Sequence, residues 1–157
     1  MRNLEEILRL MEIKRQLLRG IEDATQEMLA CRREELPEQV KERQRFIDEL
    51  ERQDAALREL CAAEENGPAV WDAAMSRGDA GALEGELAEV YAAAQQQRAV
   101  MSRLRESEAQ AMRRMKLEQD QLLEKIKSTN QGSAAKAARF YSAGAAGGGG
   151  SSRLGRA

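Results

Sequence analysis

The chain reads as an all-α protein, an elongated antiparallel helical hairpin or small coiled-coil bundle with a disordered Gly-rich C-terminal tail. Three observations predict this. Charged residues supply 33% of the 157 positions and aromatics only 3%, the balance of helical rods joined by a thin seam. Apolar residues recur at spacings of three, four and seven, the helical period and not that of a strand. Strong breakers cluster in a few places: Pro37, the Asn66-Gly67-Pro68 triplet, glycines 78, 81 and 85, and the terminal glycine run.

The first stripe runs Leu4, Leu8, Met11, Leu18, Ile21 and Met28, widened by Ile7, Leu17 and Leu29, and predicts a helix over about 4–35. Asn3 is its candidate N-cap, with Glu6 suited to the positive helix start. Pro37 lacks an amide proton and disfavours helical backbone at Leu36, so a kink or break is expected there, with Pro37 in the first turn of a second helix. That helix, about 38–64, carries Val40, Ile47, Leu50, Leu57 and Leu60, with Phe46 beside them. Asn66, Gly67 and Pro68 stop it. A short helix is expected over about 69–77, then a turn at "SRGD" with Asp79 capping the next helix.

From Leu83 the pattern is long: Leu87, Tyr91, Ala94, Met101, Leu104, Met112, Met115, Leu122 and Ile126. A helix over 83–128 would reach roughly 70 Å at 1.5 Å per residue, about the combined reach of the first two segments. Asn130 and Gly132 are candidate C-caps, a terminal helix is expected over 133–141, and 143–157 reads as a flexible tail. The helical domain is therefore expected to span 1–142. Charge supports a doubled-back chain. Residues 1–91 carry 13 Lys+Arg against 22 Asp+Glu (net −9), and residues 92–157 carry 12 against 5 (net +7), which together give the overall −2. Opposite halves favour an antiparallel arrangement, although each exposed pair contributes only about 0–1 kcal/mol.

Several function classes find no support. The chain has no His, and Cys31 and Cys61 lack CxxC spacing, so no common zinc pattern or His-based catalysis is expected, and the two thiols read as small buried residues of a reducing cytoplasm. No cofactor is expected. The tail glycines lack the Lys-Ser/Thr of a phosphate loop. Glu34/Glu35 and Glu64/Glu65 are sequence neighbours that diverge on a helix, which suits a solvated face better than acid–base chemistry. The chain is not expected to be an enzyme. The basic second half mixes both signs in "RESEAQAMRRMKLEQDQ", unlike a nucleic-acid surface. No stretch approaches the roughly 20 apolar residues of a membrane span, and charges interrupt the opening residues too often for a secretory signal. A cytoplasmic protein without membrane insertion is expected.

Two features invite a binding role. Met101, Met112 and Met115 fall on or beside the long stripe, where unbranched, polarisable side chains serve either as seam filler or as a surface that repacks around a partner helix. Phe140 and Tyr141 place scarce aromatics side by side where a helix-friendly run gives way to glycine.

With these segments in view, the chain resembles the FlgN/FliT-type flagellar export chaperones. The resemblance rests on the amphipathic "LEEILRLMEIKRQLLRGIEDA", on "ERQRFIDELERQD" within the second helix, which is similar to an Arg-Gln-x-x-Ile-Asp pattern, and on the ending "LLEKIKSTNQGSAAKAARFYS". It covers most of residues 1–142; the Gly-rich insert around 66–85 and the terminal glycines depart from it. It implies a cytoplasmic chaperone that binds an amphipathic terminal helix of a filament-cap or hook-junction protein, prevents premature self-assembly and delivers it to the export gate. On that reading Met101, Leu104, Met112, Met115 and Leu122 contact the substrate helix. Phe140 and Tyr141 either touch the gate or pack on the body. Self-association into a homodimer stays open, and the rival reading is a structural coiled-coil adaptor or scaffold that releases no cargo.

Overall fold

The computed structural model describes residues 1–146, with side chains to 142, and every regular element in that range is helical. The all-α prediction holds. The helices are α1 (Leu4–Ala30), α2 (Leu36–Ala62), α3 (Gly67–Ala74) and α4 (Gly85–Ala146). Two compact units divide the chain, one over Met1–Arg114 and one beginning at Met115. The Gly-rich tail expected over 143–157 lies largely outside the described residues.

α1 stops at Ala30, five residues short of the predicted end. Cys31 leaves helical geometry for extended backbone, and Arg33–Glu35 form a single 3-10 turn into α2. Glu35 ties this corner by accepting from the Arg32 backbone N–H at 3.2 Å and from its guanidinium at 2.9 Å. Pro37 occupies the first turn of α2, as expected, where its missing amide proton is no loss. The chain therefore reverses at 31–35, and α2 returns along α1 with the same length of 27 residues. This antiparallel pair sets Lys14 of α1 in an ion pair with Asp54 of α2. Gly20 lies so close to α2 that a Cβ there would sit 2.7 Å from the Phe46 ring.

The expected cap at Asn3 is not made by its own side chain. Glu64, in the turn between α2 and α3, accepts instead from the backbone N–H groups of Asn3 at 2.6 Å and Arg2 at 3.0 Å, while Glu6 pairs with Arg9. A carboxylate at the positive end of α1 satisfies orphan donors and the helix dipole together. Gly67 opens α3 where a Cβ would stand 2.8 Å from the Cys61 carbonyl oxygen, so only glycine fits without backbone movement. Asp79 accepts from Gly81 N–H at 3.0 Å and closes the 3-10 turn Ala80–Ala82; it does not cap the long helix, which begins six residues later.

Within the first unit, α4 runs in the same direction as α1. The Gln97 amide donates to the Met11 carbonyl at 2.8 Å, Arg103 Nε meets Glu22 at 3.1 Å, Gln26 donates to Ser107 Oγ at 2.7 Å, and Arg114 donates to the Met28 and Cys31 carbonyls. The long helix does not lie against α1 and α2 laid end to end; residues 85–114 form the third member of a bundle, parallel to α1 and antiparallel to α2. The core comprises two apolar clusters. One gathers Ile7, Met11, Leu57, Val70, Val90 and Ala94 around α3, and the other joins Leu18 and Ile21 to Val100 and Leu104, with Phe46, Ile47 and Leu50 against them. Lys14 and Gln97, both buried, lie between the clusters along the sequence of α1 and α4.

α4 also runs through Asn130 and Gly132, where a stop was expected, and absorbs the separate terminal helix predicted for 133–141. Ala134, Ala135, Ala137 and Ala138 are strong helix formers that outweigh one interior glycine costing about 1 kcal/mol.

Truncating Leu57, fully buried in the first cluster, to Ala should cost about 2–5 kcal/mol of stability by denaturant unfolding. The carboxyl of Glu64 is held below the usual carboxylate range, first by the Arg2 backbone N–H and also by that of Asn3, against an opposing effect of burial. A depressed folded-state pKa contributes stability that is present above the unfolded value and lost as pH falls through the folded one. The melting temperature of Glu64→Gln should therefore fall below that of the wild type at neutral pH, and the gap should close in strong acid. A gap independent of pH would contradict this role.

Candidate protein-binding surface

The seven residues singled out in the sequence fall into separate environments along α4. In the first unit, Leu104 is a core residue, buried against Leu18, Ile21 and Val100. It cannot serve as a contact for a partner helix, because withdrawing it would open the bundle. Met101 and Met112 stand on the outer side, 42% and 46% exposed. They are eleven residues apart, three helical turns, and so share one side of α4.

In the second unit, described by itself, α4 from Met115 onward is a single helical segment, and the unit's described residues hold no other element. Met115 is half-buried. Leu117, Leu122, Leu123 and Ile126 retain between 49% and 57% of their accessible surface. Met115, Leu122 and Ile126 share one line of the helix, Leu123 flanks it, and Leu117 lies on the opposite side. A helix in water gains stability chiefly by burying such a stripe. Here several large apolar side chains remain presented to solvent together, which marks an interaction surface more than scattered exposed leucines would.

Phe140 and Tyr141 are 75% and 73% exposed. Their rings meet edge to face, with centroids 5.9 Å apart and planes at 75°, a favoured aromatic geometry. Within their own unit neither ring is a core residue.

Sequence reasoning missed Leu117 and Leu123, which fall off the three–four stripe; their signal was size and number, five large aliphatic or Met residues between 115 and 126. It also missed the polar groups that fasten α4 in the first unit, the buried Gln97 and the partly exposed Arg43–Glu108 ion pair. Among the described residues, no group of three or more His, Cys, Asp or Glu side chains could hold a metal ion, and no helix is long and apolar enough to cross a membrane.

The first unit is an all-helical bundle, and the second, by itself, is a helix with Leu117, Leu122, Leu123 and Ile126 exposed along it. No family model matches the chain, and neither a curated protein nor a solved structure matches it.

The different environments of Leu104 and Met112 are open to test. Leu104→Glu buries a carboxylate without a partner and should cost roughly 3 kcal/mol or more. Met112→Glu should stay within about 0.5 kcal/mol of the wild type. Equal losses in chemical denaturation would place both side chains in the core.

Proposed function

We propose that the protein is a helix-binding carrier of the flagellar export chaperone kind, which covers an amphipathic terminal helix of a filament-cap or hook-junction protein and keeps it from assembling before export. The observation that carries this reading is the stripe of half-buried Met115 with exposed Leu122 and Ile126, and exposed Leu123 beside it. An amphipathic helix docks through anchors spaced i, i+3/i+4 and i+7, and the spacing of this stripe has that form. The polarisable Met residues at 101, 112 and 115 suit a surface that accommodates more than one apolar sequence. The bundle of α1, α2 and the start of α4 supplies a folded body that leaves Met101 and Met112 exposed and takes Leu104 into its core. The exposed pair Phe140 and Tyr141 is assigned to the contact with the export gate, since two rings that bury neither face are suited to a docking handle.

The test is capture of flagellar cap and hook-junction proteins from the source cell by the full chain, followed by affinity measurement with the purified cargo. Met115→Glu and Leu122→Glu place a charge in a contact where each side chain would bury about 1.5–3 kcal/mol of apolar surface, so affinity should fall about tenfold or more for each. Phe140→Ala/Tyr141→Ala should leave cargo affinity unchanged and lower export. Undiminished capture by both Glu variants would overturn the assignment of this face.

A further inference from the structure

The segment after Met115 carries a second pattern, in its charges. Residues 115–124 hold Glu118, Asp120 and Glu124 against Lys116 alone, whereas residues 125–142 hold Lys125, Lys127, Lys136 and Arg139 and no acid. The helix is thus acidic at one end and basic at the other, with its apolar stripe centred near the junction. Beside a second copy running parallel, acid would face acid and base would face base. Beside a second copy running antiparallel, each acidic stretch would lie along a basic one.

From this we infer that residues 115–133 bind the same segment of a second copy of the chain in an antiparallel pair, whose two-fold axis passes near Glu124. The spacing fixes one register. Met115, Gln119, Leu122, Ile126, Thr129 and Ser133 alternate by four and three, the seam of a two-stranded coiled coil. Setting Leu122 opposite Ile126 of the second copy makes two apolar layers by symmetry. It also brings the two Leu123 side chains together across one edge of the seam and the two Lys125 side chains across the other, where Glu118 of each copy stands about 7.5 Å along the axis from Lys125 of its mate, within reach of long side chains. All three exposed aliphatic residues near the axis are then covered, and Leu117 on the far side is not. A two-fold contact is self-complementary and closes at two copies, which separates this pairing from a scaffold that grows end to end. A cargo helix on the same face would compete with it, so the pairing is tested on the purified chain without cargo.

Two measurements on the full-length protein test the pairing. Sedimentation should show a concentration-dependent dimer that Leu122→Glu abolishes. Lys125→Glu should weaken it several-fold, and the combined Glu118→Lys/Lys125→Glu exchange should restore it. Orientation is read by nitroxide labels on Ser128→Cys or Ser142→Cys, both exposed and on one side of the helix; the unsubstituted protein, with Cys31 and Cys61 buried, reports background labelling. In the antiparallel register the two Ser128 positions lie about 12 Å apart along the helix axis and the two Ser142 positions about 54 Å apart. A parallel pair gives the same short separation at both. A much longer distance at 142 than at 128 supports the inference. Equal distances, or a monomer at the highest soluble concentration, overturn it.

Discussion

The donation from the Gln97 amide to the Met11 carbonyl is the contact on which the arrangement of the first unit turns. The core here is thin: two modest apolar clusters in a chain with few aromatics. Leu, Ala, Val and Met side chains of that kind tolerate sliding by a helical turn with little loss of buried area, so apolar burial alone specifies register weakly. A buried amide does not tolerate it, because leaving the group unpaired costs about 1–3 kcal/mol. Lys14 with Asp54 and Arg43 with Glu108 impose the same requirement between other helices. In each pair the cation is the sheltered partner while Asp54 and Glu108 stay 46% and 39% exposed, so the cost of a lost partner falls on Lys14 and Arg43. Register in this bundle is set by what must not be left unpaired.

That constraint explains why α4 takes the place it does. Once α1 turns back at Cys31–Glu35, the α1–α2 pair is antiparallel and leaves one side for a third helix. α4 enters beside the start of α1 and follows it to the end, where Arg114 closes the sequence of contacts by donating to the Met28 and Cys31 carbonyls. These are orphan acceptors of a helix C-terminus, and a cation there also answers the dipole. The other end of α1 is closed by Glu64 in the opposite sense, an anion at the N-terminus. Both ends of the first helix are thus capped by side chains distant in sequence, which couples formation of α1 to assembly of the whole bundle. The stripe beyond Met115 is chemically distinct: it has the apolar residues of a seam, with Leu122, Leu123 and Ile126 exposed.

Much of this was legible beforehand. The period of the apolar residues is a local property, and it identified four of the helical segments and placed Pro37 in the first turn of α2. The candidate surface was legible in part: Met101, Met112, Leu122, Phe140 and Tyr141 are exposed residues of α4 and Met115 is half-buried, whereas Leu104 carries the same stripe signal and is core. Periodicity reports which side of a helix is apolar, not which stretch of that side finds a mate. Asn130 and Gly132 failed as stop signals for a related reason, since a glycine ends a helix only when its neighbours stop favouring one.

The sequence by itself determined the class of structure, because the helical period, the breakers and the shortage of aromatics are written residue by residue. Tertiary structure decided the direction in which α4 runs, the capping of α1 by Glu64 and Arg114, and the division of one continuous apolar stripe into buried and exposed parts. Those outcomes depend on pairings between residues more than sixty positions apart. Such pairings are selected by the cost of leaving buried polar groups unsatisfied, a quantity that no local window of sequence contains.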